Sequence, residues 1–100
     1  MRRDELIEFL PAIIQLCAEY GVTELALFGS VARGDDREDS DVDLLYVRGP
    51  HAVRGLAFFG LEEELEKLLG IHVDLVPKSG LNRLIRDEVL ADAEVLYAAA

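Results

Sequence analysis

Basic side chains are few in this sequence, and their scarcity excludes two classes of partner. Ten Lys and Arg stand against twenty Asp and Glu, which gives a formal net charge of −10. Nonspecific binding to nucleic acid requires clustered basic side chains that displace counterions, and binding to an anionic membrane surface requires them too. We therefore expect no direct nucleic-acid contact and no membrane partner. The acidic balance is compatible with a site that collects divalent cations.

Cysteine and long apolar runs are also scarce. The single cysteine, Cys17, cannot form an internal disulfide, which favours a reducing, cytoplasmic location. No apolar run is long enough to span a bilayer, and the N-terminal MRRDELIEF is too acidic for a signal peptide. A length of 100 residues predicts a single domain over 1–100, and an apolar content of 51% is enough for one modest core.

Hydrophobic periodicity predicts helices that alternate with short strands. The predicted helices are a first segment interrupted at Pro11 and ended by Gly21, a brief segment at 30–33, a segment at 51–69 and a last segment around 81–89. The predicted strands are 24–28, 42–47, 72–76 and an edge strand at 94–97, with a charged loop at 34–40. This alternation is typical of an α/β or α+β fold, here a small mixed sheet of three to four strands with helices packed on it.

Two aspartates flank one valine at the start of the second predicted strand. Side chains two residues apart in a strand point to the same face, so Asp41 and Asp43 project side by side while Val42 faces the core. Two carboxylates this close repel each other, and Mg²⁺ relieves the repulsion because it takes one or two carboxylates plus phosphate oxygens. Asp74, in the third predicted strand, supplies a third carboxylate if the two strands are neighbours. Three such acids can hold two cations, which clamp the attacking and leaving oxygens of a phosphoryl displacement.

A Gly-Ser pair lies upstream of these acids, where the first predicted strand ends and the brief helix begins. Unpaired backbone N–H groups at such a junction attract phosphate, Gly29 permits close approach of the backbone, and the Ser30 hydroxyl adds a donor. Arg33 carries a guanidinium that can bind a phosphate bidentately. A competing interpretation pairs Arg33 with an acid of the loop at 35–38, and the sequence favours neither.

The spacing of these motifs resembles that of a known superfamily, the nucleotidyltransferases related to DNA polymerase beta. The sequence has Gly-Ser, ten residues, then Asp-Val-Asp, and a third acid in a later HVDLV. GSVARG, SDVDLL and LEEELEKLLGIHVDLV are similar to its shortest branch, the minimal nucleotidyltransferases or MNT proteins, and the resemblance extends to the terminal EVLY. It implies a nucleotidyltransferase fold, two Mg²⁺ ions (or Mn²⁺ instead) bound by Asp41, Asp43 and Asp74, and a nucleoside triphosphate held by Gly29 and Ser30. It also implies that Asp74 helps to activate the attacking hydroxyl.

The resemblance further implies transfer of a nucleoside monophosphate, expected to be AMP from ATP, to a hydroxyl with release of pyrophosphate. Many MNT proteins are encoded beside a HEPN-domain partner and form a toxin–antitoxin pair with it, and in some pairs the MNT protein adds AMP to a tyrosine of the HEPN ribonuclease. Larger transferases of the superfamily carry an acceptor-binding domain, for which 100 residues leave no room. We therefore expect the acceptor hydroxyl on a HEPN partner. The sequence is compatible with a homo-oligomer and with a hetero-oligomer that includes this partner.

Two other functions are compatible with the sequence. A non-catalytic antitoxin would neutralise its partner by contact alone, but it would not need three clustered carboxylates. A small-molecule nucleotidyltransferase would need somewhere to bind its acceptor.

Several further residues receive structural interpretations. His51 and His72 lack the spacing of zinc ligands, Glu62 to Glu66 form the solvated face of a helix, and Cys17 and Tyr46 pack in or against the core.

Overall fold

The computed structural model describes residues 1–34 and 41–99, in which helices alternate with strands. The α-helices are α1 (Arg3–Glu8), α2 (Leu10–Tyr20), α3 (Gly29–Arg33), α4 (Gly60–Leu69) and α5 (Arg83–Asp92). The strands are β1 (Val22–Phe28), β2 (Val42–Arg48), β3 (Val73–Pro77) and β4 (Glu94–Ala98), and short 3₁₀ segments lie at Gly55–Phe59 and Lys78–Gly80. Of the predicted loop at 34–40, Gly34 is a turn residue and 35–40 lie outside the described residues.

The strands form a mixed sheet in the order β3-β2-β1-β4. Strand β1 pairs antiparallel with both β2 and β4, whereas β2 and β3 run parallel. The predicted α/β class and the small mixed sheet are confirmed, and so is the interpretation of the last strand as an edge strand. No helix among the residues that the structure describes is long and apolar enough to cross a membrane.

Pro11 divides the N-terminal helical segment into two abutting helices. Helix α1 ends at Glu8 and is followed by Phe9 as its C-cap, and Pro11 lies in the first turn of α2, where a missing N–H costs no helical hydrogen bond. Gly21 ends α2 in the left-handed conformation, with φ of 76°. The side chains of Leu6, Ile13 and Cys17 are fully buried, so this segment packs an apolar face on the core, as predicted for Cys17.

The predicted helix at 51–69 is wrong in its first part. The α-helix begins only at Gly60, after the 3₁₀ segment Gly55–Phe59, and residues 51–54 are not helical. Tertiary hydrogen bonds explain the difference: the Val53 N–H donates to the carbonyl of Tyr20 at 3.0 Å, which ties this segment to the end of α2. Gly55 then adopts a positive φ of 67°, which an α-helix does not accommodate.

One face of the sheet packs on the core. Strand residues such as Leu27, Leu44 and Val73 meet Leu61 and Leu65 of α4 in a single apolar cluster to which α1, α2 and α3 also contribute. Because successive strand side chains alternate between faces, the residues between these buried positions point to the opposite face.

Two glutamates of α4 cover the outer edge of β3. The Val73 N–H donates to Glu66 Oε2 at 2.9 Å, and the Leu75 N–H donates to Glu62 Oε1 at 3.4 Å. These N–H groups would otherwise be unpaired, because β3 lies at the end of the sheet. The interpretation of residues 62–66 as a solvated face is therefore correct for the exposed Glu63 and Glu64 and wrong for Glu62 and Glu66.

Candidate active site

The three predicted aspartates come together on the sheet face opposite the core. Asp41 directly precedes β2, Asp43 is the second residue of β2, and Asp43 pairs in register with Asp74 of the parallel strand β3. Val42 is fully buried, as expected for a residue between two outward carboxylates. The second and third strands are neighbours, which is the condition under which Asp74 was predicted to join the Asp-Val-Asp pair.

Burial and neighbouring negative charges both act on the Asp43 carboxyl. Partial burial raises the pKa of the Asp43 carboxyl above its ordinary value, and the charge of Asp74, a hydrogen bond to Asp74 and the charge of Asp41 raise it further. The nearby Arg33 guanidinium acts in the opposite direction and lowers the pKa of Asp43. Without a cation, the ionised form of Asp43 is therefore disfavoured in the folded protein.

In metal-free protein, Asp43→Asn is expected to raise the free energy of unfolding at neutral pH and to change it little at acid pH. Because the pKa of Asp43 is higher in the folded state than in the unfolded state, its ionisation costs stability. The cost is absent below the unfolded pKa and complete above the folded pKa, so the difference between variant and wild type grows as the pH rises through that window.

The gain is expected to stay below about 1 kcal/mol, since solvent screens a partly exposed pair. Thermal melts in EDTA between about pH 3.5 and 7 measure it. Asp87→Asn, on the exposed surface of α5, is the matched control. A wild type that gains stability relative to Asp43→Asn as the pH rises would contradict the predicted repulsion.

Gly29 lies where β1 ends and α3 begins, opposite the acids. Phe28 pairs with Asp43 across the sheet, and Gly29 follows with φ of +77°. A Cβ atom at Gly29 would lie 2.3 Å from Asp43 Oδ2. The sequence analysis explains the glycine at this position by the close approach of a ligand to the backbone. The structure adds a second reason, because the Asp43 carboxylate occupies the space that any side chain would need.

Arg33 and a small cavity lie beside this junction. Arg33 Nη1 is 3.6 Å from Asp92 Oδ2 of α5. The alternative partners proposed for Arg33, the acids at 35–38, lie outside the described residues. A cavity of about 190 Å³ opens between α3 and α5 and is lined by Phe28, Gly29, Arg33, Glu88, Val89 and Asp92. Ser30 follows Gly29 in the first turn of α3 and is partly buried.

His72 is the residue of this site that the sequence analysis missed. Its Nε2 lies 3.0 Å from Asp74 Oδ1, and its Nδ1 lies 2.7 Å from Glu66 Oε2. One ligand atom from each of Asp41, His72 and Asp74 lies within 4.8 Å of the others. The signal was present in HVD, because the alternation that groups Asp41 with Asp43 also groups His72 with Asp74. Carboxylate oxygens with an imidazole nitrogen fit a divalent cation.

Comparison with known proteins identifies the family. Residues 11–96 match the sequence profile of the nucleotidyltransferase domain. The chain belongs to the nucleotidyltransferase family. This confirms the resemblance seen in the Gly-Ser and Asp-Val-Asp motifs.

Two relatives are similar to this nucleotidyltransferase over most of its length. The protein adenylyltransferase MntA of Thermococcus cleftensis is 48% identical over 83 residues, covering 83% of this chain and 81% of the relative. A solved structure assigned as a minimal nucleotidyltransferase is 41% identical, with a TM-score of 0.78 and coverage of 94% of this chain and 95% of that chain. The predicted nucleotidyltransferase fold is thereby confirmed.

A third relative is a Shewanella oneidensis complex of a tri-AMPylated HEPN toxin with its MNT antitoxin. The likeness has a TM-score of 0.65 at 21% identity and covers 90% of this chain and 70% of the matched chain. At this identity it shows a shared fold.

Proposed function

We propose that this chain is a divalent-metal-dependent protein adenylyltransferase that moves AMP from ATP to a hydroxyl of a HEPN-domain partner and so acts as the antitoxin of that pair. The observation that carries the proposal is the in-register Asp43–Asp74 pair with Asp41 beside it, directly facing the Gly29 junction. The identity of 48% with a protein adenylyltransferase supports the reaction, and the AMPylated HEPN complex supports the class of acceptor. We further propose that residues 1–100 form a single domain that acts in the cytoplasm.

Each site residue then has a defined task. Gly29 and Ser30 would hold the triphosphate through backbone N–H groups and the hydroxyl, and Arg33 would contact a phosphate oxygen at the edge of the cavity. Asp41, Asp43 and Asp74 would bind Mg²⁺ or Mn²⁺, whose charge stabilises the phosphoryl oxygens during transfer. The donor set fits, since both ions prefer carboxylates together with phosphate oxygens.

Asp74 has a second task in this proposal. The acceptor oxygen forms a bond to the α-phosphorus as the bond from that phosphorus to pyrophosphate breaks. The hydroxyl proton passes to the Asp74 carboxylate, which is exposed at the edge of the site and thus open to an incoming partner. A hydroxyl is a weak nucleophile until its proton is removed, so this transfer is central to the rate.

The test is incubation of the purified chain with ATP, Mg²⁺ and a HEPN-domain protein encoded in its gene neighbourhood, followed by intact-mass measurement of that protein. We expect mass increments of AMP that require ATP and that are absent with the Asp41→Asn/Asp43→Asn double variant. Full neutralisation of the partner without nucleotide and without added mass would favour an antitoxin that acts by contact alone. A gene neighbourhood without a HEPN reading frame would instead favour a small-molecule acceptor.

A further inference from the structure

We propose that His72 is a nitrogen ligand of the cation bound by Asp41 and Asp74, so that this centre prefers Mn²⁺ or Co²⁺ to Mg²⁺. The inference rests on the metal site of the proposed function and is independent of the AMP-transfer reaction. It concerns a residue outside the three-aspartate pattern from which the metal site was predicted.

The backbone places His72 opposite Asp41 on the same face as the acids. The Val42 N–H donates to the carbonyl of His72 at 3.1 Å, immediately before the register pairs Val42 with Val73 and Asp43 with Asp74. His72 and Asp74 are two residues apart and share a face. Four potential ligands therefore form two adjacent pairs, Asp41 with His72 and Asp43 with Asp74.

The hydrogen bond to Glu66 orients the imidazole for metal binding. Glu66 Oε2 lies 2.7 Å from His72 Nδ1 and also accepts the Val73 N–H at 2.9 Å, so the glutamate is held from two sides. A neutral imidazole has a single N–H, and donation of it from Nδ1 to Glu66 leaves a lone pair on Nε2. Metal-binding histidines commonly have this arrangement, in which a carboxylate accepts the hydrogen of the nitrogen that does not bind the metal.

The Nε2 lone pair then faces other electron-rich atoms. Nε2 lies 3.0 Å from Asp74 Oδ1, and one ring nitrogen of His72 lies within 4.8 Å of a carboxylate oxygen of Asp41 and of Asp74. A cation shared by these atoms turns their mutual repulsion into attraction. The competing arrangement is a protonated imidazole that donates to both Glu66 and Asp74, and it predicts that His72 contributes nothing to metal affinity.

An imidazole ligand changes the preference among metals. Mg²⁺ favours oxygen ligands, whereas affinity for nitrogen-containing sites rises from Mn²⁺ to Co²⁺. Wild-type protein should therefore bind Co²⁺ more tightly than Mn²⁺, and both more tightly than Mg²⁺. His72→Gln, which keeps a polar side chain but removes the imidazole, should lower Co²⁺ affinity by about tenfold or more and change Mg²⁺ affinity by less than about twofold.

The experiment is a titration of metal-free protein with Co²⁺, followed by the visible absorption of the ion, with Mn²⁺ and Mg²⁺ as competitors and no nucleotide present. His51→Gln is the matched control, because His51 is also exposed and lies beyond the other end of β2. Glu66→Gln is a second variant, expected to weaken Co²⁺ binding less than His72→Gln does. Circular dichroism establishes that each variant is folded.

Unchanged Co²⁺ affinity in His72→Gln, or an equal loss in His51→Gln, would overturn the inference. Loss of Co²⁺ affinity in His72→Gln alone supports it, even if wild-type protein adds no AMP to any partner, and in that case only the proposed function fails. Conversely, active AMP transfer with equal Co²⁺ affinity in wild type and His72→Gln would leave the proposed function intact and remove His72 from the site.

Discussion

Asp74→Asn is expected to lower the rate of AMP transfer by about a hundredfold or more while triphosphate affinity stays close to that of wild type. Asparagine has the size of aspartate, so the paired strands β2 and β3 should keep their register. Its amide oxygen cannot accept the hydroxyl proton, and it is a weaker metal ligand than a carboxylate. Gly29 and Ser30, on the other side of the site, would continue to hold the triphosphate.

Single-turnover transfer to the proposed HEPN partner and calorimetric titration with a non-hydrolysable ATP analogue measure the two effects separately. Asp87→Asn, an exposed acid of α5 outside the cluster, controls for the loss of one negative charge from a chain of net charge −10. A rate for Asp74→Asn within about twofold of wild type would exclude Asp74 as the proton acceptor, since removal of a general base costs far more.

Gly29→Ala is expected to reduce transfer to a similar extent, through displacement of Asp43. The new Cβ would lie 2.3 Å from Asp43 Oδ2 and 3.2 Å from its Cγ, so the Asp43 carboxylate must leave its present position between strands β1 and β3. The positive φ of +77° adds a strain of about 1–2 kcal/mol for any residue with a Cβ atom. Metal affinity and transfer should fall together, because the same carboxylate serves both.

Gly34→Ala separates the backbone strain of a positive φ from the displacement of Asp43. Gly34 has nearly the same φ, +76°, but a Cβ atom there would have no neighbour within 4 Å among residues 1–34 and 41–99. It should therefore lose a similar amount of stability while it retains metal binding. Equal losses of metal affinity in Gly29→Ala and Gly34→Ala would show that contact with Asp43 is not the cause.

Ser30→Ala is expected to weaken triphosphate binding by only about 1 kcal/mol, the value of one hydroxyl hydrogen bond.

The parts of this molecule that follow short-range rules could be predicted from the sequence. Alternation around Val42 places Asp41 and Asp43 on one face, and apolar periodicity, Pro11 and Gly21 define the first two helices. The strands agree with prediction to within about two residues at either end, as expected where apolar runs are bounded by turn residues.

The parts that depend on distant contacts could not be predicted in the same way. Residues 51–54 look helical in isolation, but the hydrogen bond from Val53 to Tyr20 holds them in another conformation. Glu66 looks like one of several solvated acids, and only the packing of α4 beside β3 brings it to His72. The same applies to Asp92, which approaches Arg33 from a helix more than fifty positions later in the sequence.

The double hydrogen bond of Glu66 makes one backbone amide a spectroscopic reporter. The Val73 N–H and the His72 ring share the same carboxylate oxygen, so movement of the ring changes the magnetic environment of that amide proton. The Val73 side chain is itself fully buried on the opposite face, away from any ligand. Its amide resonance in a nitrogen–proton correlation spectrum would therefore record events at the acidic face from a position that no ligand touches.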